Sequence, residues 1–591
     1  MEIVHRYSRQ ALRFFIGTAA LGLLAAGAAG AAGAAESRDP TPAVDLEAES
    51  QAAYAAYAAG DIEGAGERFE RLLDVDGLEE RLGRHYARNA ASCFAEAGQP
   101  ARALAVLERA VFELGEINFQ SLEDAEEWQS LRGLDGWARL VAEAKRSSEA
   151  EERRWGGAAF STPFRDPLPL EERLAGLSHL WATAKYNSSN FDLVPELDWD
   201  AEYLATIPKV IAAESTYAYY LELQAFVAKL KDGHSNVYFP RDPAFTTGRA
   251  RQPAISIRRI DGRVILTHVG DPQLQAQNIQ LGDELLTIDG EPIDAYANRI
   301  RRPYVAASTA AGADEAIYSW RLLGGSLGPV AFGVRRADGS TVSVQTERPS
   351  REVWLELMEG AEGLALPPAF RWRMLPQNIA VVELNSFGSS EAAAGFEAAF
   401  AEIAAADGVV FDLRRNGGGS SSQGYSILAK LTDRPFAVSS YRTLKYIPAF
   451  RAWGYKTLFH ESTDNVRQAH GELHFRGPVA VLIGPETFSA AEDFAVAFDV
   501  MDRGALVGRA TGGSTGQPLY IDLPGGGQAR IVTKRDTYPD GRDFVGSGVQ
   551  PDVKVTPTVE AFREGRDLEL EAAVKVLQGS ARSGDVRASP D

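Results

Sequence analysis

Cysteine is almost absent from this chain. Cys93 is the only one among 591 residues, so no intrachain disulfide can form, and the fold tolerates an oxidising compartment without depending on one. Cys93 lies in an alanine-rich helical pattern and reads as a small core residue. Cations are also short: 61 Lys and Arg against 81 Asp and Glu leave a formal charge of -20. That balance argues against nucleic acid, whose phosphates need clustered cations, and against an anionic membrane surface. Long apolar runs are missing too, with one exception. Arg6, Arg9 and Arg13 precede an apolar stretch from Phe14 to Ala35 that ends in small residues. This is the pattern of a secretory signal peptide, residues 1–35, cleaved after an A-x-A type site. No cysteine follows it to carry a lipid, and an uncleaved anchor is the alternative. No later segment could span a membrane, so the expected product is exported, periplasmic or secreted, with no stable membrane insertion after cleavage.

What is present is an ordinary globular composition, 45% apolar and 24% charged, long enough for several cores at ~150 residues per domain. After a Pro-containing linker at Asp39 to Val44, residues 45–150 read as helix. Tyr54 to Asp61 and Ala90 to Gln99 resemble each other, and their glycine turns recur at close to the ~34-residue interval of a tetratricopeptide unit. A further helix is expected around Trp128 to Ala144. A plain helical bundle accounts for the same alanine periodicity. Repeats of this kind would bind a protein partner and carry no chemistry of their own.

Residues 155–240 form a second helical domain, with apolar residues at 3.6 spacing from Leu170 to Leu180 and from Tyr217 to Leu230. It ends in Lys229 to Ser235, where cations and Gly233 stop a helix just before His234. Residues 250–350 change to short alternating strands. Ile279-Gln280-Leu281-Gly282-Asp283-Glu284-Leu285-Leu286-Thr287-Ile288-Asp289-Gly290 resembles a PDZ domain, a module that adds a peptide strand to a sheet edge and often holds a terminal carboxylate. Residues 365–560 alternate strand and helix: strands at Ile379 to Leu384, Gly408 to Leu413 and Pro478 to Ile483, helices at Ser390 to Ala404 and Ala490 to Met501. Residues 561–591 complete the chain as a helix and tail.

Two glycine-marked turns in this last domain point to chemistry. Asn416-Gly417-Gly418-Gly419 follows a strand and precedes a helix, aiming backbone amides outward. No Gly-Lys-Ser/Thr follows and the G-x-G-x-x-G spacing is missing, so neither a phosphate loop nor a dinucleotide fingerprint is present. An oxyanion-hole donor remains. Gly484-Pro485-Glu486-Thr487-Phe488-Ser489 is the other turn, again strand to helix, with Ser489 at its apex beside helix-start N–H groups. Ser489 therefore reads either as a nucleophile or, with Glu492 three residues on, as a capping box.

Four motifs occur in order: Asp412 to Gly419, Thr487 to Glu492, Gly508 to Gly513 and Gly546 to Asp552. Together they resemble the tail-specific (C-terminal processing) serine peptidase family over Phe370 to Val555, extending upstream through the PDZ-like domain to His234. The resemblance implies a multidomain fold: an α/β crotonase-like (ClpP/crotonase) catalytic domain preceded by an all-α repeat region, a helical domain and a β-rich PDZ-like domain. It also implies Ser489 as nucleophile, with the amides of Ala490 and of the Gly417-Gly418 turn as oxyanion hole. One branch of the family takes its base from a lysine in a Gly-Lys-Gly turn; here that slot reads Gly513-Ser514-Thr515, and no lysine lies between Gly508 and Gln517. The other branch, resembling the tricorn peptidases, uses a histidine ahead of the PDZ domain, a position matched by His234. In that branch a serine precedes the histidine and a glutamate lies near the Gly-x-Gly-x-x-Pro-Asp motif. Here Gly233 and Phe544-Val545 stand instead, and Asp543, Asp540 and Asp232 are the candidates for orienting His234.

The expected activity is an exported serine-type endopeptidase acting on unfolded or C-terminally exposed polypeptides, with no cofactor and no metal. The alternative is a catalytically inactive peptide- or ligand-binding protein on the same scaffold. A metallopeptidase would have to use His470-Gly471-Glu472-Leu473-His474, which lacks the H-E-x-x-H order.

Overall fold

The computed structural model describes residues 46–242, 245, 251–325, 328–359, 367–463, 465–469, 471 and 473–583. The expected signal peptide, the linker after it, His470 and Glu472 lie outside the described residues. The chain divides into two compact units, Met1–Ala159 and Phe160–Asp591.

The first unit is helical. Helices α1 (Leu46–Ala58), α2 (Ile62–Leu72), α3 (Glu80–Glu96) and α4 (Pro100–Phe112) follow one another through tight turns at Gly60 and Gly98, both with positive φ. Alanines set the close approach: Ala65, Ala87, Ala90, Ala91 and Ala103 are fully buried around Phe69 and Phe94. The helix expected from Trp128 to Ala144 is instead a short 3-10 turn at Glu126–Trp128 and helix α5 (Trp137–Glu151). Gly133 and Gly136 interrupt it, the latter in the left-handed region where a continuing helix is impossible.

The second unit opens with α6 (Leu170–Asn187), α7 (Trp199–Ala212) and α8 (Thr216–Ala228). The last of these leads through Lys229 to His234 into strand β1 (Asn236–Tyr238). Next comes an antiparallel sheet, β2 (Ile255–Ile260), β3 (Arg263–Val269), β4 (Glu284–Ile288), β5 (Gly328–Arg335) and β6 (Thr341–Arg348), paired in that order, with a two-residue strand at Glu291–Pro292 against β4.

The remaining sheet carries the chemistry. Its strands are β7 (Phe370–Met374), β8 (Ile379–Leu384), β9 (Gly408–Asp412), β12 (Val479–Ile483), β13 (Gly504–Gly508) and β17 (Val553–Lys554), side by side in that order. All neighbours are parallel except β7 on β8. Every residue of β12 is buried, as a central parallel strand covered on both faces requires. One face packs Phe396, Phe411, Phe494 and Phe498 from the sheet and from α9 (Glu391–Ile403), α10 (Ser421–Leu428) and α11 (Ala490–Val500). The other face is closed by Ala573 and Leu577 of α12 (Leu568–Ser583). Each buried phenylalanine contributes about 1.5–3 kcal/mol by leaving water.

Register then does the positioning. Asp412 is paired with Leu482 and Ile483 with Gly508, so the carboxyl ends of β9, β12 and β13 finish together. The Asn416 to Gly419 loop, the Ser489 turn and the Thr511 to Ser514 segment leave from those three ends. Open α/β sheets place their ligands there. Two small sheets flank the site: β1 with β15 (Gly527–Val532) and β14 (Pro518–Leu523), and β10 (Ser440–Lys445) between β11 (Leu458–Ser462) and β16 (Lys534–Thr537). Tyr220 ties α8 to the first of them. Its hydroxyl donates to the Pro524 carbonyl at 2.7 Å and accepts the Gly527 N–H at 3.0 Å.

Candidate active site

Ser489 sits at φ 58°, ψ −127°, a left-handed conformation costly for any residue with a Cβ. The surroundings hold it there. Thr487, fully buried, donates its hydroxyl to the Leu413 carbonyl at 2.9 Å and accepts the Gly484 N–H at 3.0 Å. Phe488 N–H donates to the Asn416 carbonyl at 3.0 Å, lacing the Ser489 turn to the glycine loop. The Asn416 amide donates in turn to the Leu384 carbonyl at 2.9 Å. The capping box expected at Ser489 and Glu492 forms, its glutamate arm accepting the Ser489 N–H at 3.1 Å. The Ser489 hydroxyl meanwhile lies 3.0 Å from His234 Nε2, across 255 residues of sequence. One serine thus both begins the helix and touches the imidazole.

His234 is only 3% exposed. Its ring stacks on Phe488 at 4.5 Å between centroids and 13° between planes. Burial, with the cations of Arg530 and Lys534, holds its imidazole down at about 3, so it is neutral at ordinary pH and able to accept a proton. For Nε2 to take the Ser489 proton, Nδ1 must carry the hydrogen. Nδ1 lies 2.8 Å from Ser514 Oγ, which accepts that hydrogen in this tautomer. Ser514 is fully buried.

None of the three expected orienting carboxylates touches the imidazole. Asp543 pairs with Arg535 at 3.2 Å and Asp540 with Arg542 at 2.7 Å, both turned to guanidinium groups on their own segment. Asp232 accepts the backbone N–H of His234 at 2.8 Å, the Asn190 amide at 2.8 Å and the Ser235 hydroxyl at 3.4 Å, so it fixes the main chain under the ring. Ser514 occupies the place these residues were expected to fill. Its signal was in the sequence as the residue standing in the lysine slot. The glycine at 233 also has a physical reason: a Cβ there would lie 2.7 Å from the Phe488 ring and 3.1 Å from Ser514 Oγ.

The oxyanion donors need one correction. Gly418 N–H donates to Asn416 Oδ1 at 2.9 Å and is spent inside the loop. Gly418 serves by its missing side chain instead, since a Cβ would lie 2.6 Å from Ser489 Cβ and 3.0 Å from Ala490 N. The N–H groups of Ala490 and Gly417 have no acceptor among the described residues. Ala490 stands at the helix start directly after Ser489, and the glycine loop closes on that turn through Gly418.

Glu492 lies beneath this assembly, fully buried. Oε1 accepts the Thr511 hydroxyl at 2.5 Å and the Gly513 N–H at 2.7 Å; Oε2 accepts the Ser514 N–H at 2.9 Å and the Ser489 N–H at 3.1 Å. Burial lifts its carboxyl to about 8 against the pull of these four donors. Among the described residues no group of three or more His, Cys, Asp or Glu is placed to hold a metal. No helix among them is long and apolar enough to cross a membrane.

Known proteins share this region. Residues 378–555 match the model of peptidase family S41, and this segment is a serine-type peptidase domain. The chain is 28% identical over 219 residues to the C-terminal processing peptidase, chloroplastic, of Tetradesmus obliquus, covering 37% of this chain and 41% of that protein. It is 30% identical over 211 residues to the carboxyl-terminal-processing protease of a Synechocystis strain, covering 34% and 44%. The chain thus spans less than half the length of the curated relatives it matches. The crystal structure of mature CPAF shares its fold, with a TM-score of 0.56 and 18% identity over 71% of this chain and 99% of that one.

Proposed function

We propose that this protein is an exported serine endopeptidase that cleaves unfolded or C-terminally exposed polypeptides. The observation that carries this reading is the chain of contacts Ser489 Oγ to His234 Nε2 at 3.0 Å and His234 Nδ1 to Ser514 Oγ at 2.8 Å. His234 takes the hydroxyl proton as Ser489 Oγ attacks the scissile carbonyl. The C–O bond forms, the carbonyl π pair moves to oxygen, and the Ala490 and Gly417 amides hold the oxyanion. Collapse expels the amine, which receives the proton from His234. Water, deprotonated by the same histidine, then releases the acyl group. We read the parallel sheet as the crotonase-like core and the β2 to β6 sheet as PDZ-like, a dock for substrate C-termini. The glycine-punctuated helices of the first unit are read as tetratricopeptide-like repeats for a protein partner. The names of the relatives, both C-terminal processing enzymes, favour termini as substrates.

The test is covalent. An alkyl fluorophosphonate should label Ser489, identified by peptide mapping, and Ser489→Ala should lose both labelling and casein hydrolysis. Hydrolysis that survives Ser489→Ala would end the serine mechanism. A folded wild type that binds peptides without labelling or turnover would make it a binding protein.

A further inference from the structure

Glu492 is a fully buried carboxylate of the site that neither reacts nor touches a reacting atom. It nonetheless links the two ends of the reactive array. Its Oε2 holds the N–H of Ser489, the nucleophile, and the N–H of Ser514, the partner of His234 Nδ1; its Oε1 holds Gly513, the residue before Ser514. The segment carrying Ser514 has further ties to the same turn, with Ser489 N–H also reaching the Ser514 carbonyl at 3.1 Å and Gly512 N–H the Thr487 carbonyl at 3.0 Å. We propose that Glu492 is a positioning residue for catalysis, which sets the spacing of Ser489 and Ser514 about His234 by gathering three backbone N–H groups onto one carboxyl. The proposal rests on the serine-peptidase reading above.

The chemistry of the four donors makes glutamate hard to replace. Three are backbone N–H groups, which can only donate. The fourth, the Thr511 hydroxyl, can turn: it gives a hydrogen to an ionised carboxylate or takes one from a protonated carboxyl, while its oxygen accepts the Val549 N–H at 2.7 Å. The three backbone donors are therefore held in either ionisation state. A glutamine has no such freedom. Its NH2 group on the Oε2 side would face the N–H groups of Ser489 and Ser514; on the Oε1 side it would face that of Gly513. At least one backbone donor is pushed away in each case, and a misplacement near 1 Å in a reacting array costs about 10²-fold.

The experiment compares the full chain with Glu492→Gln and Thr511→Val, reading kcat and KM on one peptide and the rate of fluorophosphonate labelling at Ser489. Glu492→Gln is expected to lower kcat and the labelling rate together by about 10²-fold, with KM within about 3-fold, because substrate contacts are untouched. Thr511→Val removes the adaptable donor and with it the acceptor of the Val549 N–H, and is expected to lower both rates by about 3- to 10-fold. If Glu492→Gln is recovered unfolded, Thr511→Val carries the test alone. A folded Glu492→Gln that labels and turns over at wild-type rates overturns the proposal, as does a loss confined to KM, or Thr511→Val at wild-type rates where it stands alone. Failure of the underlying reading looks different: the wild type itself would not label at Ser489.

Discussion

Two buried carboxylates support this site from opposite sides, and they do so with different partners. Asp232 lies under the His234 ring and holds its main chain; Glu492 lies under Ser489 and holds the turns of Ser489 and Ser514. Both are pushed up by burial, and neither meets the imidazole. Asp232 draws two of its three donors from side chains, the Asn190 amide and the Ser235 hydroxyl, which can turn over. Glu492 draws three of its four from the backbone, which cannot. A buried acceptor surrounded by side chains can be re-dressed after substitution, while one surrounded by peptide N–H groups fixes the geometry around it.

The largest effect should come from breaking what both sides share, the strained turn at Ser489. Gly418→Ala places a Cβ 2.6 Å from Ser489 Cβ and 2.7 Å from the Phe488 carbonyl, at φ 94°. Labelling at Ser489 should fall by at least about 10²-fold, with a stability loss of about 1–3 kcal/mol by urea titration. Retention of wild-type labelling would show that the loop and the turn need not touch. Next comes Ser514→Ala, which removes the acceptor of the His234 Nδ1 hydrogen without adding bulk. A kcat loss of about 10-fold is expected, well short of the ~10⁴ for a triad aspartate, because a neutral hydroxyl orients the ring without offsetting its charge. A loss near 10⁴ would mean that Ser514 relays a charge.

The pH dependence of stability separates His234 from the carboxyl beneath Ser489. His234 is depressed to about 3 from an ordinary 6.5, so its contribution is present above pH 6.5 and fades as pH falls from 6.5 toward 3. Glu492 is raised to about 8 from 4.5, so its contribution is present below pH 4.5 and fades as pH rises through 8. Melting temperatures of His234→Gln should be flatter than those of the wild type on the acid side only. Those of Glu492→Gln should be flatter between pH 4.5 and 8. The same slope in all three proteins would refute both assignments.

Much of this frame was legible in sequence because periodicity and turn residues act locally. The buried runs at Ile379 to Leu384 and Pro478 to Ile483 formed strands within a residue of their expected ends. Ser489 stood out as a serine between such a strand and a helix, and His234 as a histidine just past a helix end. The orienting group was not legible. A carboxylate near His234 in sequence looked sufficient, but Asp232 faces the main chain, and Asp540 and Asp543 have arginines closer at hand. Ser514 meets His234 across 280 residues through the register of β12 with β13, which no local pattern encodes. Glu492 was visible only as half of a capping box, since three of its four donors come from or sit beside that same distant segment. The interruption of the helix after Trp128 was missed because its apolar spacing continued through Gly133 and Gly136.

The smallest effect expected is the one that tests the contrast most directly. In Asp232→Asn the remaining oxygen can keep the His234 N–H and the Ser235 hydroxyl, leaving an NH2 group against the Asn190 amide. Asn190 Oδ1 is buried and without a hydrogen-bond partner among the described residues. Rotating the Asn190 amide by half a turn presents that oxygen to the new NH2 group, exchanging one side-chain hydrogen bond for another. The predicted loss in kcat is therefore within about 3-fold, against about 10²-fold for the same acid-to-amide change at Glu492. Pairing Asp232→Asn with Asn190→Ala removes the group that turns, and the double variant should fall well below the product of the single effects. If Asp232→Asn alone is as damaging as Glu492→Gln, the partners of Asp232 are as rigid as a backbone, and the distinction between the two sides of the site disappears.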